Sequence, residues 1–161
     1  MRMYSFTNFM LSSMAQGIQP LHAVAEMSIK YQNDEKHQQY YDWAKNHKTM
    51  ICLSAGVYTD LKYVRDFFTT SENPYAWSEF CEDESLDFQM TSVAIVLPEK
   101  IYEASSLLRS RNFVFEGMYL HCLDTEKTDF ETLTELADKN WTFTQWEQDL
   151  VKLVGSKPLA K

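Results

Sequence analysis

Met90-Thr91-Ser92-Val93-Ala94-Ile95-Val96-Leu97 is a run of eight residues without a formal charge, closed at once by Pro98. It is β-branched and lacks the apolar/polar alternation of a strand with one wet face. A strand of this kind needs cover on both sides. In a chain of ordinary domain size, the structure that supplies such cover is a sheet layered with helices. The remaining strand candidates fit the same plan. Residues 2 to 9 alternate, with Tyr4 and Phe6 on one side. Residues 48 to 54 (Lys-Thr-Met-Ile-Cys-Leu-Ser) are apolar enough to lie centrally, and Ala55-Gly56 ends them. Residues 75 to 81 alternate again. Helical spacing falls in between: a long stretch over 12 to 31, a short one over 37 to 45 with Tyr40 and Trp43 inward, and one over 60 to 68. The last is capped by Thr59 and carries Leu61, Val64, Phe67 and Phe68 inward. Pro98 opens a further helix to about Arg111, with Ile101, Ala104 and Leu108 inward. The order predicts an α/β, three-layer fold: a mixed four-stranded sheet with helices on both faces.

The last third adds to this pattern. Residues 113 to 123 read as a strand with Gly117 as a bulge. Phe130, Leu133 and Leu136 mark a helix from about Asp129. Thr142 or Thr144 caps a final helix carrying Phe143, Trp146, Leu150 and Leu153. The expected organisation is a core over 1–111, a C-terminal strand and helical extension over 112–155 packed on it, and a loose tail over 156–161.

The 12–31 stretch is apolar on two sides. Ile18, Leu21, Ala25 and Ile29 form one stripe; Val24, Met27 and Tyr31 form another. This predicts a helix covered by neighbours. Gln19 and His22, three apart, project from one face. An amide and an imidazole in that setting either satisfy backbone groups or form a site. Pro20 is favourable at a helix start and costly inside one. Either the helix begins near Gln19, or a segment from Ser13 is kinked there. Both place Gln19 and His22 near free backbone N–H groups suited to an anion or a carbonyl oxygen.

Charge narrows the function. There are 15 basic and 23 acidic residues, a net charge of −8, and no basic run. General nucleic-acid binding is therefore disfavoured. No run is long and apolar enough to span a membrane, and the first residues lack a signal-peptide core. Cys52, Cys81 and Cys122 are odd in number and widely spaced, which predicts buried thiols in a reducing, cytoplasmic compartment.

The element order and three local signals resemble the type 2 peptidyl-tRNA hydrolase superfamily over residues 1 to 111. One is Gln19-Pro20-Leu21-His22-Ala23, similar to that family's Gln-x-x-His-Ala step in its first long helix. The second is the passage from Trp43 to Leu53, a helix and polar break before a buried strand. The third is the acidic loop followed by Thr91 and a strand ending in Pro98. Within the superfamily the chain also looks like a small family of T4-type phage proteins, which implies a phage-encoded protein in the host cytoplasm. The resemblance implies a peptidyl-tRNA hydrolase II-like fold. It makes His22, Glu82 and Asp83 the catalytic candidates and Gln19 and Thr91 the substrate-binding ones. Two features depart from the family. Met14-Ala15 stands where the family carries its Gly-Lys pair, and no basic residue lies between Arg2 and Lys30. The counterpart of the family's aspartate is ambiguous among Glu79, Glu82 and Asp83.

Ester hydrolysis needs a group to orient water and a donor or cation for the developing oxyanion. Glu82 or Asp83 supplies the first and Gln19 or His22 the second, with the cation missing. The acidic run from Glu82 to Asp87 is either solvated surface or a divalent-cation site, but its spacing fits no known loop. The histidines and cysteines contain no zinc spacing, and no Gly-x-Ser-x-Gly elbow is present. No metal and no cofactor is expected. The resulting expectation is a noncanonical member of the superfamily that acts as a binding or accessory protein on a host protein or a small ligand. Two rivals stand beside it: a hydrolase releasing tRNA from peptidyl-tRNA, and a structural subunit that oligomerises through residues 113 to 155.

Overall fold

A computed structural model describes residues 1–83, 87–114, 130, 134 and 137–160, with backbone alone over 110–114. The described chain forms two compact units, Met1–Leu97 with Pro158–Lys161, and Pro98–Lys157. The first unit is α/β, with a mixed four-stranded open sheet and helices. Its strands are β1 (Arg2–Asn8), β2 (Met50–Gly56), β3 (Trp77–Cys81) and β4 (Met90–Leu97), in the order β2-β1-β4-β3. β1 runs parallel to β2 and antiparallel to β4, and β3 is antiparallel to β4. Every residue of β4 is buried, as its uncharged, β-branched composition requires.

Helix α1 (Ser13–Lys30) packs on the sheet face that carries Met3, Ala94 and Val96, through Ala23, Met27 and Tyr31. Met3 and Met27 are fully buried, and each stabilises the fold by roughly 1.5–3 kcal/mol. Helix α3 (Tyr58–Phe68) takes the other face, where Phe68 meets Phe6 edge-on at 5.7 Å. The short α2 (His37–Asp42) runs into a π-helical turn (Trp43–His47) that ends on a left-handed Lys48. Gln39 holds the approach to β3: its Oε1 accepts from Ala76 N–H at 2.8 Å, and its Nε2 donates to Pro74 O at 3.0 Å.

Of the two readings of the first helix, the one that starts at Ser13 is met, and three other local expectations are corrected. α1 begins at Ser13, capped by the Ser12 hydroxyl, and continues through Pro20. The Pro20 ring is buried with the helix's inward residues. α3 starts at Tyr58, not Asp60. Val57 N–H donates to Asp60 Oδ2 at 3.0 Å, so the first-turn carboxylate fixes the start and Thr59 is not the cap. β2 runs through Gly56, whose φ of +109° and closeness to the Asp60 carboxylate exclude a side chain. The tail is not loose where it passes β2. Ser54 N–H donates to Pro158 O and Ala160 N–H to Cys52 O, each at 2.9 Å, which adds an antiparallel bridge at Leu53 and Leu159.

In the second unit, α4 (Glu99–Val114) packs against α5 (Gln145–Ser156). Gly155 sits so close to Leu108 that a Cβ would lie 2.9 Å from its Cδ2. Ile101, Ala104 and Leu108 are buried as expected. Thr144 is the cap of α5; its hydroxyl accepts from Glu147 N–H, and the Glu147 carboxylate accepts from Thr144 N–H. Residues 113 and 114, expected in a strand, close α4. The rest of that strand with its Gly117 bulge, and most of the helix from Asp129, lie outside the described residues. Among the described residues no helix is long and apolar enough to cross a membrane.

Candidate functional site

The residues singled out by the sequence meet within the first unit, between the second turn of α1 and the β3–β4 hairpin. Gln19 Nε2 donates to Glu82 Oε1 at 2.5 Å. Gln19 Oε1 accepts from Thr91 Oγ1 at 3.1 Å. Thr91, at the start of β4, is buried, while Gln19 and Glu82 are half-buried. One amide thus links a carboxylate at the end of β3 to a hydroxyl on the strand beside it. The hairpin is closed by Glu82 N–H on Gln89 O at 3.0 Å and Phe88 N–H on Asp83 O at 3.2 Å. Asp87 and Phe88 both take left-handed backbone conformations, with φ of 54° and 53°. Asp83 follows Glu82 and is exposed.

His22 lies nearly one turn beyond Gln19, on the exposed side of α1. Its ring stacks on Phe80 with centroids 4.5 Å apart and planes 18° apart. Phe80 and Ser78 alternate along β3 and so face α1 together. Ser78 Oγ donates to Ala23 O, and Phe80 meets His22. These two contacts seat the helix on the strand, and both partners went unmarked in the sequence. The signal available for them was the period of two in Ser78 and Phe80 set against Ala23 and His22.

Gln19 and His22 are not at a helix start. α1 begins at Ser13, so its unpaired N–H groups lie before Gln19. The expected backbone cradle for an anion at Gln19 and His22 is therefore absent, because the chain passes through Pro20 as helix.

No cation enters this group in the described structure. The next basic residue along α1, Lys30, places its Nζ 3.6 Å over the Trp77 ring. Burial lowers its pKa, with Lys36 adding to the effect and Glu79 opposing it. Cys81, expected in the core, is exposed, while Cys52 is half-buried; Cys122 lies outside the described residues. Partial desolvation and the Glu79 carboxylate push the Cys81 thiol up, with Arg65 opposing, so it is poorly suited to act as a thiolate. Among the described residues no three His, Cys, Asp or Glu side chains are grouped to hold a metal ion. A separate hollow of about 240 Å³ is lined by Phe9, Gln16, Ser54, Pro158 and Leu159.

The chain matches no protein-family model and no curated protein.

Proposed function

We propose that this chain is a noncanonical peptidyl-tRNA hydrolase II-like protein that binds a partner and does not turn over a substrate. In this reading it is a phage-encoded accessory protein acting in the host cytoplasm on a host protein or a small ligand. One observation carries it. The Glu82 carboxylate is engaged by the Gln19 amide, and no ammonium or guanidinium among the described residues joins them. A carboxylate and an amide without a cation can orient a ligand, but they leave a developing oxyanion weakly stabilised. The exposed imidazole of His22, stacked on Phe80, adds a flat surface for contact.

The test is turnover of peptidyl-tRNA by the purified chain. We expect none above buffer. Turnover that disappears in His22→Ala or Glu82→Gln, with the fold intact by circular dichroism, overturns the proposal. On the binding side, a partner recovered from host lysate should be lost when Gln19 and His22 are both replaced by alanine. Equal recovery by that variant removes this surface from the reading.

The alternative is a hydrolase acting on the ester of peptidyl-tRNA. It is favoured by the hydrogen-bonded chain through Thr91, Gln19 and Glu82, which gathers three of the five residues that the resemblance picks out.

A further inference from the structure

The outward side of α1 is apolar and exposed. Met14 is 77% exposed, Ile18 44%, Leu21 58% and Ile29 67%, and Ala25 lies among them. This overturns the expectation of a helix covered on two sides: Met27 and Tyr31 are buried, and the stripe through Ile18, Leu21 and Ile29 is not. The intervals along the stripe are four, three, four and four residues. That is the spacing of a seam that packs against another helix. The stripe runs without a break from Met14 to Ile29, about 22 Å along α1.

We infer that this stripe is a self-association surface, on which α1 of a second copy packs antiparallel, about a two-fold axis between Leu21 and His22. Four features of the helix bear on what docks there: the first and third favour a second copy over a different protein, and the second and fourth favour an antiparallel helix. First, the stripe is nearly self-complementary under reversal. Met14 and Ile29 lie equally far from that midpoint, as do Ile18 and Ala25. Each copy's Met14 then faces the other's Ile29, and each bulky Ile18 faces a small Ala25, as an isologous interface requires. Second, Gly17 sits on the outward side with nothing within 4 Å of where its Cβ would be. A glycine inside a helix is destabilising relative to alanine. Among the described residues nothing packs against it, whereas a neighbouring helix gains room to approach. Third, the helix carries one acid, Glu26, and one base, Lys30. In the reversed pairing Glu26 falls opposite Gly17 and Lys30 opposite Ser13, so no like charges meet. A basic partner, which the net charge of −8 would attract, gains little from so neutral a stripe. Fourth, antiparallel pairing sets the two helix dipoles head to tail.

A strip about 22 Å long and one helix wide offers on the order of 250 Å² per copy, well below the roughly 800 Å² of a standard interface. The dimer is therefore weak and reversible. Because the axis passes beside His22, the His22–Phe80 stacks of both copies border one seam. The inference does not depend on whether those residues bind or hydrolyse anything.

Sedimentation velocity of the full chain over a wide concentration range tests it. We expect the 18.9 kDa species to give way to twice that mass as concentration rises. Leu21→Glu places two carboxylates near the axis and should keep the chain monomeric throughout, with an unchanged circular dichroism spectrum. Tyr63→Glu, at an equally exposed aromatic on α3, should leave the dimer intact. A wild-type chain that stays monomeric, or a dimer that survives Leu21→Glu, overturns the inference, as does one abolished equally by Tyr63→Glu. None of these outcomes bears on turnover of peptidyl-tRNA, so this test and that of the proposed function fail independently.

Discussion

The two sides of α1 are similar in apolar content and opposite in surroundings. The inward side carries Gln16, Pro20, Ala23 and Met27, all buried, with Tyr31 at its end. The outward side carries Met14, Ile18, Leu21 and Ile29, all exposed. What separates them is fit to the sheet. Small Ala23 lets the helix backbone approach β3 closely enough for Ser78 to reach its carbonyl. The polar Gln16 is admitted inside because its amide donates to Phe9 O and Leu11 O, at 3.3 and 2.8 Å. A side chain is taken in when its shape and hydrogen bonds match what it meets, and apolarity alone does not secure a place.

The contrast is tested most strongly at Met27. Met27→Ala should destabilise the chain by about 2–5 kcal/mol in urea unfolding, whereas Leu21→Ala on the other side should stay within about 0.5 kcal/mol under monomeric conditions. Equal losses would mean that the outward side is covered within the monomer. Ala23→Leu should cost about 1–3 kcal/mol by forcing helix and strand apart, and Ala25→Leu should be close to neutral in the same measurement. Ser78→Ala removes one buried hydrogen bond and should cost about 1 kcal/mol.

The smallest effect is visible at high pH. Desolvation raises the Tyr31 phenol above its ordinary 10.0, and its oxygen accepts from Trp77 N–H at 3.3 Å. A raised folded-state pKa means that the protonated form favours the fold. The contribution is whole below pH 10 and is lost as pH rises through the folded value. Tyr31→Phe should therefore lose less stability than the wild type between pH 9 and 11, as read from thermal unfolding. Parallel curves would remove Tyr31 from the alkaline response.

The sheet was legible because its signals are local. β4 is uncharged over its whole length and proves buried throughout, while β1, expected to alternate, is buried on both faces from Met3 to Thr7. Element starts were less so. Asp60 sets the start of α3 from within its first turn through Val57 N–H, and Pro20 lies inside α1 with its ring buried; neither shows in the apolar spacing. The Gln19 and His22 face was readable from their spacing, but their exposure was not, since an apolar helix shows its stripes without showing which stripe meets the sheet. The meeting of Gln19 with Glu82 and Thr91 spans more than sixty residues of chain and left no mark in spacing. Cys81 was misplaced because a strand end alternates like a strand centre while lying in the open.

The bridge between Leu53 and Leu159 has a consequence for biosynthesis. β2 is an edge strand, and its outer backbone groups are covered at Cys52 and Ser54 by residues made only after the whole 98–157 unit. On the ribosome, that edge waits uncovered while all four strands of the sheet are already available. An uncovered edge is a template for pairing with another chain. Nascent chains crowded on one message are therefore most vulnerable to mispairing in this interval, and the Pro158–Ala160 segment ends it.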